Sequence, residues 1–110
     1  GLQIEDFETG DFSKYGWTFG GNADWITDSI NQYEGSFCAQ SGDISDSQTS
    51  SLILEAYITS DDSISFYRKV SSENNYDYLK FYIDDVLQEQ WSGEVSWSKV
   101  VYPVSSGERT

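Results

Sequence analysis

The stretch YDYLKFYID, Tyr76 to Asp84, alternates two kinds of side chain. Leu79, Phe81 and Ile83 take one phase, and Tyr78, Lys80, Tyr82 and Asp84 take the other. Period-two alternation places the two sets on opposite faces of a strand. The first set suits a core. The second pairs rings with a donor and an acceptor, the chemistry that holds a sugar. Tyr rings stack on the apolar faces of pyranoses, while Lys and Asp hydrogen-bond hydroxyls. The preceding run SISFYRKV repeats the pattern, with Ile64, Phe66 and Val70 on one face and Ser65, Tyr67 and Lys69 on the other. If the two strands are antiparallel neighbours, Tyr67, Lys69, Tyr78, Lys80 and Tyr82 form one ligand-binding patch. Trp91, just before a turn at QWSG, is the tryptophan most suited to join it. The competing reading is structural, because Tyr is a good strand former and cross-strand aromatic pairs stabilise sheets.

Carboxylates are the second chemical resource. In a strand reading of LQIEDF, Ile4, Asp6 and Glu8 share a phase, and two carboxylates two residues apart can converge on a hard cation. Asn22 and Asp24 in GGNADW add oxygen donors beside a glycine turn that exposes backbone carbonyls. SGDISDSQ, with Asp43 and Asp46, is a weaker option. Neither loop has the glycine and closing Glu of an EF-hand. Asp and Asn are also ordinary turn formers, so plain turns compete with metal binding throughout.

Other chemistry is excluded. The chain has no histidine and one cysteine, Cys38, which removes Ser-His-Asp and Cys-His catalysis and most zinc and copper sites. Cys38 forms no internal disulfide and lacks a basic neighbour, so it reads as a small buried hydrophobe. No Gly-x-Ser-x-Gly elbow is present. With 6 Lys and Arg against 19 Asp and Glu, the net charge of −13 repels phosphate backbones and anionic lipid. Nucleic acid is therefore an unfavoured partner, and no apolar run reaches the roughly 20 residues that insertion in a membrane requires. The same charge suits divalent cations and neutral ligands.

The elements that must position these residues are strands. The 110 residues carry 4 Trp, 8 Tyr and 6 Phe, enough for one real core despite the charge. Strands are expected over Leu2–Phe7, in GWTFG, DWITD, SFCAQ, SSLILEAYI, SISFYRKV, YDYLKFYID, LQEQWS and WSKVVYPV, with a turn at Asp84–Asp85. SSLILEAYI reads as one strand with Leu52, Leu54, Ala56 and Ile58 on one face. Asp28 to Tyr33 is a loop or a helical turn, and Pro103 belongs near a strand end. Turn-formers every 8–12 residues indicate an all-β sandwich or barrel.

Three blocks resemble a known family. They are DFETGDFSKYGWTFGGNADWIT, GSFCAQSGDISDSQTSSLIL, and ISFYRKVSSENNYDYLKFYIDD with QWSGEVSWSKVVYPVSSGERT. Together they resemble the bacterial cleaved-adhesin or choice-of-anchor domains, which are related to MAM domains. The resemblance implies a jelly-roll β-sandwich of concanavalin-like build, here without the closing C-terminal strands such domains have after SGERT. It implies a single module, residues 1–110, from a larger secreted or cell-surface bacterial protein. It also implies structural calcium, with Glu8 at the family's Phe-Glu acid, Asp6 next, and Asn22 and Asp24 as further ligands. Trp17, Trp25, Trp91 and Trp97 match framework positions. The glycosidases of related build carry Glu-x-Asp-x-x-Glu, a spacing that IEDFETGD lacks. The expected function is thus a non-catalytic binding module for a polysaccharide or glycan, the alternative being a protein-binding adhesion module or spacer.

Overall fold

The structure, a computed structural model, describes residues 5–30, 32–43, 48–73 and 76–110. Those residues form ten β-strands and no helix. The strands pair as five antiparallel two-stranded ladders. The chain divides into two compact units, Gly1–Glu55 and Ala56–Thr110.

In the first unit, β1 (Trp17–Gly21) pairs with β4 (Ser50–Leu54), and β2 (Ile26–Asp28) pairs with β3 (Cys38–Gln40). Asn22 prolongs the β1–β4 ladder. Its N–H donates to Thr49 O (2.6 Å), and its Oδ1 accepts from Thr49 N (2.9 Å). The preceding Gly21 has φ +84°, and a Cβ there would lie 2.4 Å from Thr49 O, so only glycine lets the strands close. Phe7, Phe12, Phe19 and Trp17 form a run of ring contacts with centroids 5.1–6.0 Å apart. The Trp25 indole N–H donates to Ser50 O, fixing that ring on β4.

The expected strand over Leu2–Phe7 is not a strand where the structure describes it. Leu2 to Ile4 fall outside the described residues, and Glu5–Phe7 is irregular. Phe7 has φ +59°, a left-handed conformation that no strand accommodates. Glu5 holds the segment in that form, with Oε1 accepting from Phe7 N and Oε2 from the Trp17 indole. Asp28 to Tyr33 contains bends and no helix among its described residues. Cys38 is half-buried in β3 rather than fully enclosed.

In the second unit, the run read as one strand in SSLILEAYI breaks at Glu55. Its second half, β5 (Ala56–Ile58), pairs with β10 (Gly107–Arg109), a strand the sequence pattern did not suggest. The long β6 (Asp62–Ser71) pairs with the long β9 (Glu94–Val104), and between them runs the hairpin of β7 (Leu79–Ile83) and β8 (Val86–Trp91). The hairpin turn is Asp84–Asp85, with φ of +50° and +65°. Two left-handed residues give the type I′ geometry that matches strand twist. Where the excursion begins and ends, Ser72 N donates to Gly93 O and Gly93 N to Ser72 Oγ (both 3.1 Å).

The pleat decides what packs. In β6, Phe66, Arg68 and Val70 turn inward, as do Val100, Tyr102 and Val104 in β9. In β7 and β8, Leu79, Phe81, Glu89 and Trp91 share the inward face. The two ribbons meet through side chains: Phe66–Phe81 and Phe81–Tyr102 have centroids 4.9 Å apart, and Phe66–Tyr102 stack at 6.1 Å. Tyr102, Val70 and Val104 are the buried hydrophobic residues at this contact and its flanks. Phe81 touches both other rings, so Phe81→Ala is expected to destabilise the protein by about 3 kcal/mol, the low end for a large aromatic because the site is only half-buried. Urea unfolding followed by tryptophan fluorescence measures it.

Candidate functional site

The β7–β8 hairpin presents its second face outward. Lys80 lies opposite Gln90 and Tyr82 opposite Leu87, with Tyr78 immediately before β7 in the same phase. Gln88 is an extra residue at a bulge between Phe81 and Tyr82. The Tyr78 and Tyr82 side chains are exposed at 40 % and 46 %, enough to offer ring surface while their backbone is laddered. Lys80 Nζ sits 6.0 Å from the centre of the Tyr78 ring, a cation–π distance that steadies both groups. Four strand residues span about 13 Å, so the two rings flank a strip rather than a point.

The other expected members lie elsewhere. β6 ladders to β9, not to β7, so Tyr67 and Lys69 belong to a different ribbon. The physical reason is length and turn chemistry. The ten-residue β6 and eleven-residue β9 satisfy each other, while the Asp84–Asp85 turn closes β7 onto β8. Tyr67 faces outward opposite Lys99, and Lys69 faces outward opposite a β9 bulge at Ser96 and Trp97. Trp91 is half-buried on the inward face of β8. The Arg68 guanidinium lies over its ring at 4.8 Å, so that ring face is covered.

Sequence reasoning missed the polar cluster beneath these faces. Arg68 falls among Ile64, Phe66 and Val70, an odd charge in an apolar phase, and that misfit was the available signal. Arg68 donates to Ser98 Oγ (2.7 Å) and Ser96 O (3.2 Å) and stacks on Trp91. Glu89, whose alternation partner is Phe81, accepts from Tyr102 O–H at 2.5 Å. Burial, then the Glu89 hydrogen bond and charge, push the Tyr102 phenol up to about 12, against an opposing pull from Arg68. The fold therefore favours the neutral phenol. Its contribution to stability is complete below the ordinary tyrosine value near 10 and is lost as pH rises toward 12. Melting temperature measured from pH 9 to 12 should fall more steeply for the wild type than for Tyr102→Phe, which has no phenol to ionise at that position.

Three of the expected metal ligands, Asp6, Glu8 and Asn22, hold loops through hydrogen bonds. Asp6 Oδ1 accepts from Glu8 N (3.1 Å), and Glu8 Oε1 accepts from Ser36 N (2.6 Å). Asn22 Oδ1 is bonded to Thr49 N, and the Asp24 residue is exposed. Among the described residues no group of three or more Asp, Glu, Cys or His is gathered. Calcium takes roughly 6–8 oxygens, of which backbone carbonyls and water can supply part. Glu8 fills the space at Gly35, where a Cβ would sit 1.6 Å from Oε1 and φ is +65°. Gly35→Ala should thus cost about 1–2 kcal/mol, measurable by urea denaturation, through both the left-handed backbone and the displaced carboxylate. No protein-family model, no curated protein and no solved structure matches the chain.

Proposed function

We propose that the chain is a non-catalytic carbohydrate-binding module whose site is the outward face of the β7–β8 hairpin. The observation that carries this reading is the division of the hairpin by its pleat. Phe81 anchors one side to Phe66 and Tyr102, while Tyr78 and Tyr82 keep exposed rings on the other. In this reading the two rings stack on sugar faces, and Lys80 and Gln90 donate to hydroxyls between them. The ribbon is held from behind, so the rings lose little freedom on binding.

The resemblance to cleaved-adhesin domains supports the wider setting: a jelly-roll module of a secreted or cell-surface protein. Tethering to a parent chain would raise the effective concentration of a weak site. Calorimetry against a panel of soluble neutral polysaccharides tests the reading. Saturable binding is expected for the wild type, with at least a tenfold loss in the Tyr78→Ala/Tyr82→Ala double variant and an unchanged melting temperature. Absence of binding to every neutral glycan, or equal binding by the double variant, would move the assignment to a protein-docking face, for which exposed Leu87 beside Tyr82 would serve.

A further inference from the structure

Asp84 has the same strand phase as Tyr78, Lys80 and Tyr82, so its carboxylate stands where a sugar hydroxyl could use it. Both of its oxygens carry a bond within the chain instead. Oδ2 accepts from Arg109 Nη1 (3.2 Å) and Oδ1 from Thr110 N (2.9 Å). The Asp84 N–H donates in return to Thr110 O (2.8 Å). Backbone and side chain of one left-handed turn residue are thus both held by β10 and the residue after it.

Arg109 makes this contact from a fixed position. A guanidinium has five N–H donors, and each of them has an acceptor here. Nε donates to Ser105 O (3.1 Å), Nη2 to Ser105 Oγ and Ser106 O (both 2.8 Å), and Nη1 to Glu108 O (3.0 Å) as well as to Asp84. Four of the five bonds wrap the turn between β9 and β10 around the guanidinium. Ser106 N ties that turn in addition to Asp61 Oδ1 (2.9 Å), beside the start of β6. The fifth bond alone reaches out of the turn, to Asp84. With side chains 29 % and 44 % exposed, the Arg109–Asp84 ion pair adds little stability. Its consequence is placement.

The hairpin is therefore held at its base, where Ser72 meets Gly93, along its inward face, where Phe81 packs on Phe66 and Tyr102, and at its turn by β10. Tyr78 stands toward the base and Tyr82 two residues from the turn. Resting on the carbohydrate-binding reading above, we infer that Arg109 is a positioning residue for that strip, and that the strip takes an extended oligosaccharide lying across both rings rather than a single terminal sugar. A lone sugar needs one ring and is indifferent to where the other stands. A chain that touches two rings about 13 Å apart needs them held in one line. Clamping both ends of the hairpin supplies that order before the ligand arrives.

Two-dimensional NMR titration with cellohexaose, mannohexaose and xylohexaose, each beside its own monosaccharide, tests the inference. The wild type should bind at least one hexasaccharide more tightly than its monosaccharide. Arg109→Gln, and Arg109→Lys, which keeps the charge but not the fork, should each weaken the hexasaccharide about fivefold and leave the monosaccharide unchanged. A merely structural role would lower the melting temperature without moving that ratio. Asp84→Asn tolerates the left-handed backbone but accepts on one side only, so it should act alike. The Arg109→Gln/Asp84→Asn double variant should lose no more than either single one, because both break the same contact. Amide exchange, which needs no glycan, should quicken at Asp84 in Arg109→Gln and stay unchanged across the β6–β9 ladder. Unaltered exchange at Asp84, an equal loss for hexasaccharide and monosaccharide, or a wild type that binds no hexasaccharide more tightly than its monosaccharide would each overturn the inference. A wild type that binds no neutral glycan at all, with exchange at Asp84 quickened in the variant, would strike the carbohydrate reading and the length preference with it, and leave the clamp on the turn standing.

Discussion

Phe66, Phe81 and Tyr102 meet with centroids 4.9–6.1 Å apart, and the packing of the β6–β9 and β7–β8 ribbons depends on that meeting. A two-stranded ribbon in water is marginal at best. Each ribbon therefore needs the other's inward face. The ring cluster supplies the apolar part of that contact, and Glu89, Arg68 and Trp91 complete its polar edge. Such an edge is costly if a member is lost, because the buried Tyr102 phenol or the half-buried Arg68 guanidinium is left without its partner.

The same contact explains why function is sought on the outer faces. Once the pleat has committed Phe66 and Phe81 inward, Tyr67, Lys69, Lys80 and Tyr82 must point away from it. Structural demand is met on one side of each strand, which leaves the other side's composition to be set by something else. The two outer faces then differ in what they carry. One holds two tyrosines with a lysine resting near a ring, the other has Tyr67 laddered opposite Lys99.

Much of the architecture was legible in the sequence, for definable reasons. Alternation in YDYLKFYID gave the faces of β7, and two consecutive Asp residues marked a turn that needs left-handed backbone. Alternation does not name a strand's neighbour, so β6 and β7 read as a pair although each ladders elsewhere. Apolar alternation also ran through Glu55, hiding the break between β4 and β5. The acids of the opening segment looked like a strand with converging carboxylates. Their partners were backbone amides, and for Glu8 that amide is 28 residues away in sequence, at Ser36.

The single step where Ser72 meets Gly93 also bears on the order of folding events. The β7–β8 hairpin leaves and re-enters the β6–β9 ladder there, with Ser72 supplying both a backbone donor and a hydroxyl acceptor. The long ladder joins residues far apart in sequence, and closing such a loop from an open chain is entropically slow. A hairpin with a type I′ turn closes locally and fast. Our hypothesis is that it forms first and brings Ser72 to Gly93, after which β6 and β9 zip outward from that point. Pulsed amide exchange during refolding would show hairpin protection preceding that of the Asp62–Val104 end of the ladder. The opposite order would refute the hypothesis.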